Sequence, residues 1–293
     1  MKIIHEYTEF AFDMVRGLPR AYYYAINNIP HKCIVKSNLK ELYNIVTANV
    51  EEHNQFYVDN PDSLYSYDRP EWTTYEWTPP PLKDMFKGYL KFDKPTIVIN
   101  NKCSIEWHES SATNIADQLN LDTSLGQIIS NGRGEVSVNH FSIPMITKLA
   151  DLVSDKYQII YIRPITSAKY FSDHNELLDF DDFDFLEKNY PNIYTIRQFL
   201  RDTNLTDNYT IAQFMLEATS DKHLTIPGGN GCISSYFGGE VIMYLWEGYQ
   251  RGHRKGNRGW IQTDSWLKDL GGAKIINMNT YDTILKYVSN NWL

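Results

Sequence analysis

The sequence lacks a long hydrophobic run, a surplus of basic residues and a regular spacing of cysteines. No apolar stretch approaches the roughly 18 residues that cross a bilayer. Residues 1–20 carry acids and no apolar core, so we expect neither a membrane span nor a secretory signal. The 28 basic residues against 36 acidic ones give a net charge of −8. Because phosphate backbones are bound by clustered Lys and Arg, this balance argues against a nucleic-acid partner.

The three cysteines (Cys33, Cys103 and Cys232) are scattered along the chain. Their spacing fits neither a disulfide framework nor a zinc site. We therefore expect a reduced compartment, which indicates a cytoplasmic protein.

Several sequence motifs that carry known chemistry are also missing. They are the G-x-G-x-x-G fingerprint, the Walker A loop, the G-x-S-x-G elbow and the H-E-x-x-H helix. Their absence counts against nicotinamide and ATP binding, and the eight histidines form no convincing nucleophile system. The acidic run at 179–184 lacks the glycine and terminal glutamate of a calcium loop, so we interpret it as a solvated surface and expect no metal.

Aromatic residues, by contrast, are abundant, with 7 Trp, 21 Tyr and 13 Phe. Such an excess fits either a rich core or surfaces that stack on sugars or bases. Residues 1–92 are irregular and rich in Tyr, Trp and Pro, whereas later residues alternate apolar runs with helical patterns. We therefore predict a small, irregular domain at 1–92 and a larger domain at 93–293, whose C-terminal helix is a candidate for packing back on the first.

The larger domain has the pattern of a parallel α/β sheet. Apolar, β-branched runs predict buried strands at 96–100, 157–162, 223–226, 241–245 and 274–277. Helical patterns lie between or after them at 142–154, 210–218 and 281–292. Strands separated by single helices form parallel sheets with right-handed crossovers, so we predict a Rossmann-like α/β fold.

Polar residues follow the first two predicted strands, and ligands of open parallel sheets bind at the carboxyl ends of strands. Asn101 and Lys102 follow the first strand, where they could contact a sugar hydroxyl and a phosphate or simply form a turn. Arg163 follows the second strand, and its guanidinium suits a diphosphate. The alternative is an ion pair with one of the nearby acids, which are Asp173, Asp179, Asp181, Asp182 and Asp184.

A glycine-rich turn follows the predicted strand at 223–226. Glycines let the backbone approach an anion closely, and the start of a helix offers free N–H donors. We therefore predict ligand binding here rather than a bare turn, with Ser234 and Ser235 in the first turns of the following helix. The predicted contact residues of the turn itself are Gly228, Gly229, Asn230 and Gly231.

The order of these motifs resembles the donor-binding half of GT-B glycosyltransferases. It is most similar to a group found in large algal viruses, algae and some bacteria. The segment Tyr161-Ile-Arg-Pro164 is also similar to the His-x-Arg strand end of O-fucosyl-type fucosyltransferases, with Tyr161 in place of the His. The resemblance covers roughly residues 95–245 and implies two Rossmann-like domains that face a cleft.

The resemblance implies transfer of a hexose or deoxyhexose from a GDP- or UDP-linked sugar to a glycan acceptor, without a metal or other cofactor. It also implies that Arg163 grips the donor diphosphate. Our candidate for the catalytic base is Glu106, while Trp72, Trp77 and His108 are candidates for the acceptor side. A non-catalytic carbohydrate- or nucleotide-binding protein and a Rossmann-like methyltransferase remain open alternatives.

Overall fold

The computed structural model describes most of the chain in ten segments. These are residues 1–5, 10–36, 39–53, 75–103, 107–108, 129–130, 135–137, 140–165, 180–244 and 266–293.

The N-terminal segments form a three-stranded parallel sheet. Its strands are β1 (Lys2–His5), β2 (His31–Lys36) and β3 (Val50–His53), in that order across the sheet. β1 and β2 are joined by a helical stretch that passes from Phe10–Phe12 through a π-helical segment (Asp13–Gly17) to α1 (Leu18–Ile26). α2 (Lys40–Asn44) joins β2 to β3. This part is more regular than predicted. β1 and β3 were not predicted from the sequence, because both are short and carry too few apolar residues to produce a clear alternation.

The larger sheet has six parallel strands, and a small antiparallel sheet is inserted after its first strand. The strands of the insertion are β5 (Trp107–His108), β6 (Ile129–Ser130) and β7 (Glu135–Ser137). The strands of the larger sheet are β4 (Thr96–Asn100), β8 (Gln158–Ile162), β9 (Ile193–Thr195), β10 (Lys222–Thr225), β11 (Glu240–Tyr244) and β12 (Lys274–Met278). All five strands predicted from residue 96 onward are confirmed to within one residue.

The order of strands in the larger sheet is β12-β11-β10-β4-β8-β9. Counted along the chain from β4, this is the order 3-2-1-4-5-6 of a doubly wound sheet. The predicted parallel, Rossmann-like α/β class is therefore confirmed. The order reverses between β4 and β10, which pair directly through His223–Val98, Leu224–Ile99 and Thr225–Asn100.

Helices cover both faces of this sheet. They are α3 (Leu82–Phe86), α4 (Ile143–Val153), α5 (Asp182–Asn189), α6 (Ile196–Thr203), α7 (Tyr209–Glu217), α8 (Gly229–Tyr236), α9 (Lys268–Gly271) and α10 (Tyr281–Asn291). Ser142 caps α4 as predicted, and Thr195 with Gln198 forms a capping box on α6. Within the segments described above, no helix is long and apolar enough to span a membrane.

Two hydrophobic cores lie on the two faces of the larger sheet. One contains β4 and β8 residues together with apolar residues of α4, α5, α6 and α10. The other contains Phe214, Ile233 and Met243 from the larger sheet's side, packed with Met14 and Leu18 of the N-terminal helical stretch. The second core is therefore shared by the two predicted domains. α10 packs against α4, β11 and β12.

The amino edge of the larger sheet is held by one carboxylate. Glu240, at the start of β11, accepts hydrogen bonds from Lys274 Nζ (2.8 Å), Tyr287 OH (3.0 Å) and Trp292 Nε1 (2.7 Å). Burial raises the pKa of Glu240, but these three donors outweigh burial and leave it below its usual value. The contacts fix the C-terminal helix α10 against β11 and β12.

We expect Glu240→Ala to lower the free energy of unfolding by about 2–3 kcal/mol, since three hydrogen bonds of about 1 kcal/mol each are lost. Glu240→Gln retains an acceptor oxygen and should lose only about 1 kcal/mol. Urea unfolding of both variants measures the difference. Equal stabilities of the two variants would contradict an accepting role for Glu240.

Candidate functional site

The candidate site lies at the carboxyl edge of the larger sheet, between β4 and β10. In doubly wound sheets a crevice opens where the strand order reverses, because the connections from the two central strands leave in opposite directions. Here β4 leads toward β8, whereas β10 leads toward β11. Asn100 ends β4, and the glycine-rich turn follows β10. The sequence-predicted residues Asn101 and Gly228–Gly231 are therefore brought to the same crevice.

Gly228 gives the turn a backbone shape that other residues avoid. Its φ is 97° and its ψ is −152°, a region that is essentially restricted to glycine. A Cβ built at Gly228 would have no heavy atom within 4 Å. The turn at this residue therefore leaves open space beside its backbone, which is the condition for close approach by a ligand.

Helix α8 begins directly after this glycine, at Gly229. A Cβ at Gly229 would lie 2.9 Å from Cδ1 of Phe10, so the N-terminal helical stretch packs onto the turn. Gly231 lies within the first turn of α8 and is buried. The N-cap residue of α8 is Gly228, which has no side chain to cap the helix, and amide N–H groups at a helix start favour anions.

α8 starts five residues before Ser234, so Ser234 and Ser235 lie in its second turn. Both serines lie in the second half of the helix and are fully buried. Ser235 Oγ donates to the carbonyl of Gly231 at 2.7 Å. Two of the first three helical residues are glycine, a poor helix former, which is why propensity placed the start too late.

Asn101 holds the turn after β4 together. Its Nδ2 donates to Phe141 O (2.9 Å) and to Tyr161 OH (3.0 Å), while its Oδ1 accepts from the N–H groups of Lys102 and Phe141. Its carbonyl accepts from Asn230 Nδ2 at 3.1 Å. The Asn101 amide is thus engaged in shaping the turn, and Asn230 ties the glycine-rich turn to the end of β4.

Arg163 forms a buried ion pair with Asp182, the first residue of α5. Its Nε and Nη2 lie 2.8 and 2.6 Å from the two carboxylate oxygens of Asp182. Arg163 is 6% exposed and Asp182 is fully buried. Tyr161 OH donates to the same carboxylate. Hydrogen bonds therefore run from Arg163 through Asp182 and Tyr161 to Asn101.

Two aromatic rings complete the surroundings of Arg163. Its guanidinium carbon lies 4.7 Å from the ring centre of Phe183 and 5.2 Å from that of Phe180. Such cation–π contacts add to the attraction of the ion pair. The pairing with Asp182 corresponds to the second of the two interpretations that the sequence left open.

Asp182 and Asp184 do not converge on one point, although their spacing is that of an Asp-x-Asp motif. Asp182 points inward to Arg163, whereas Asp184 is largely exposed and pairs with Arg197 at 2.6 Å. Among the residues that the structure describes, no group of three or more His, Cys, Asp or Glu side chains could hold a metal ion.

A second polar cluster lies beneath the crevice, on the face covered by α7 and α8. Glu217, at the end of α7, is fully buried. Asn100 Nδ2 donates to its Oε1 at 2.6 Å, and Ser234 Oγ lies 3.4 Å from both carboxyl oxygens. His223 Nε2 lies 3.3 Å from Oε2 and 3.2 Å from the Glu217 carbonyl. The cluster joins the last residue of β4 to the helix of the glycine-rich turn.

Burial shifts the pKa of each ionisable member of this cluster toward its neutral form. Burial raises the pKa of Glu217 to about 8, although hydrogen bonds with Ser234, Gln213 and Asn100 oppose the shift. Burial lowers the pKa of His223 to about 4. Two buried atoms of the cluster, Asn100 Oδ1 and His223 Nδ1, have no hydrogen-bond partner among the described residues. Each such atom lowers the free energy of unfolding by about 1–3 kcal/mol, so the cluster destabilises the folded state.

The other predicted site residues are only partly accounted for. Lys102 is half-buried beside Asn101. Trp77 is half-buried, donates to Val15 O at 2.8 Å and meets the edge of Trp266, so it packs into the second core. Trp72 and Glu106 lie outside the described residues, as does the side chain of His108.

Glu217 was not among the residues predicted from the sequence, and Asp182 was predicted only as one of five possible acidic partners of Arg163. The helical spacing of α7 could have predicted that Glu217 is buried. Glu217 lies three residues after the buried Phe214 and next to Ala218, on the apolar face of the helix. A charged residue at such a position is buried and needs partners.

Comparison with known proteins identifies no family, because neither a family model nor a curated protein sequence matches the chain.

We expect Asp182→Ala to destabilise the protein by about 3–5 kcal/mol, because Arg163 is left charged and buried without its carboxylate. The double variant Arg163→Met, Asp182→Leu should regain most of that loss, since both charges are removed together. Urea unfolding of the single and double variants tests this. A double variant no more stable than Asp182→Ala would show that the pair does not behave as a buried ion pair.

His223 should make the protein less stable in acid. The unfolded histidine binds a proton near pH 6.5, whereas the folded one does so only near pH 4. The unfolded state therefore binds more protons in this window, and stability falls as the pH is lowered through it, by on the order of 3 kcal/mol. Unfolding free energies of wild type and His223→Gln between pH 7 and pH 4.5 measure this contribution.

We expect the difference in unfolding free energy between these two proteins to change with pH. Parallel curves for wild type and His223→Gln would contradict a neutral, buried His223.

Proposed function

We propose that the protein is a GT-B-type glycosyltransferase that binds a nucleotide-diphosphate sugar in the crevice between β4 and β10. One observation carries the proposal: a glycine-rich turn, open at Gly228, leads into an uncapped helix at the point where the strand order reverses. Diphosphates are bound at this place in doubly wound sheets, on the amino end of the helix. The donor type follows from the resemblance of the motifs.

The diphosphate is assigned to the amino end of α8 rather than to Arg163 alone. The charge of Arg163 is already matched by Asp182 at 2.6 Å, and a paired guanidinium attracts a phosphate less than a free one. The N–H groups of the first turn of α8 carry a partial positive charge that is directed at the crevice. In this proposal Arg163 supports the carboxyl edge through Tyr161 and Asn101, while Asn230 fixes the turn.

The same groups serve the transfer step. When the sugar departs, negative charge develops on the diphosphate, and donors that are already oriented stabilise it without rearrangement. In other enzymes a metal ion stabilises this negative charge. Here we assign that role to the amino end of α8 and to nearby cations such as Lys102. Removal of the acceptor proton remains assigned to Glu106, with His5 at the carboxyl end of β1 as an alternative.

The acceptor side is assigned to the N-terminal sheet. Phe10 follows β1 and packs on Gly229, and Tyr236 OH donates to Met14 O at 2.5 Å. The chain that leaves the carboxyl end of β1 therefore meets the turn that leaves the carboxyl end of β10. This contact supports two carboxyl edges that face a common cleft, as the GT-B arrangement requires.

Gly228→Ala tests the nucleotide site. A side chain at this φ strains the turn and fills the open space, so we expect binding of GDP or UDP to weaken by about tenfold or more, equivalent to about 1.4 kcal/mol. Gly88→Ala is the matched control, since its φ is also positive (91°) with open space around it. Arg163→Ala is less informative, because it leaves Asp182 buried without its cation.

Isothermal titration calorimetry with GDP and UDP provides the affinities, and thermal shifts with CMP and S-adenosylmethionine provide the comparison. We expect Gly88→Ala to bind as the wild type does. Stabilisation by S-adenosylmethionine alone would overturn the proposal in favour of a methyltransferase. Binding of a nucleoside diphosphate without donor hydrolysis or transfer would favour a non-catalytic binding protein.

A further inference from the structure

The cluster around Glu217 connects the two elements that border the proposed donor site. Asn100 is the last residue of β4, and Ser234 belongs to α8, the helix of the glycine-rich turn. The Glu217 carboxyl group contacts both of them, at 2.6 Å and 3.4 Å. The relative position of β4 and α8 therefore depends on the state of one buried carboxyl group.

We propose that Glu217 is a positioning residue that carries a proton when the crevice binds its diphosphate, and that loss of this proton weakens binding. The ligand part of this inference rests on the proposed function, whereas the proton on Glu217 does not. Asn100 Nδ2 and Ser234 Oγ both donate toward the Glu217 carboxyl group, and a neutral carboxyl group accepts from both without placing a charge in this fully buried position.

The surroundings of Glu217 favour the neutral form. β4 contributes Asn100, α8 contributes Ser234 and α7 contributes Gln213, none of which titrates. β10 contributes His223, which is neutral because burial lowers its pKa to about 4. Among the described residues in contact with the carboxyl group, none supplies a positive charge at neutral pH.

The lysine of the packed helix α3 is engaged elsewhere. Lys83 donates to Ser220 O at 3.1 Å and pairs with Asp221. An ionised Glu217 would therefore be a buried charge held by hydrogen bonds alone, without a cationic partner among the described residues in contact with it, and the raised pKa of about 8 agrees with this geometry.

The distance to the turn is short enough for this charge to matter. Ser234 follows Gly228 by six residues, which corresponds to a rise of about 9 Å along the helix. A buried charge at that distance is screened little by salt. An anion on Glu217 would oppose the diphosphate directly and would cancel part of the field at the amino end of α8.

The first test is the pH dependence of nucleotide affinity. The dissociation constants of GDP and UDP are measured between pH 7 and pH 9, above the range in which the nucleotide phosphates titrate. We expect the wild type to bind about fivefold or more weakly at pH 9 than at pH 7. Glu217→Gln cannot ionise and should show a flat profile, whereas Glu51→Gln, an exposed control on β3, should follow the wild type.

The second test needs neither a ligand nor a folded variant. Infrared difference spectra of the wild type, titrated from pH 7 to pH 9, should show a carboxylic-acid C=O band that disappears as a carboxylate band grows. Where Glu217→Gln folds, its spectra should lack this change.

The outcomes separate the two proposals. If the infrared spectra show a titrating carboxylic acid but neither nucleotide binds, the proton on Glu217 is supported and the proposed function is overturned. If a nucleotide binds but no carboxylic acid titrates, the inference about Glu217 is overturned. The same holds if the dissociation constants of wild type and Glu217→Gln change equally with pH.

Discussion

The structure depends on the direct pairing of β4 with β10. These strands are far apart in the sequence, yet they are neighbours in the sheet, and the order of strands reverses between them. The pairing places Asn100 and Asn101 next to the turn at Gly228 and opens the crevice above them. It also brings α7 and α8 together on one face, which is why Glu217 meets Asn100 and Ser234. Every element of the proposed donor site follows from this one adjacency.

The two edges of the larger sheet are built differently. At the amino edge, the ionised Glu240 collects three donors and fastens α10, which serves stability. At the carboxyl edge, Arg163 is matched by Asp182. Below this edge, on the face covered by α7 and α8, burial shifts the pKa values of Glu217 and His223 toward their neutral forms.

Much of the larger sheet could be predicted because buried parallel strands are continuous apolar runs. The sequence was less informative where structure depends on tertiary contacts. α8 begins at Gly229, in contact with Phe10 and within a run of glycines that helix propensity disfavours, and β1 and β3 have too little alternation to be recognised. The crevice was predictable from strand order and glycines. The partners of Arg163 and Glu217 were not, because the contacts to Asp182 and Asn100 arise only when distant segments fold together.

The packing of Phe10 against Gly229 bears on how this molecule can change over evolution. Residues of the N-terminal helical stretch share a hydrophobic core with α8 and with Met243 of β11. The two halves are consequently not interchangeable modules, because exchange of the N-terminal half would leave α8 without its packing partner. A stably folded chimera would have to inherit residues 10–26 and 229–236 from the same parent.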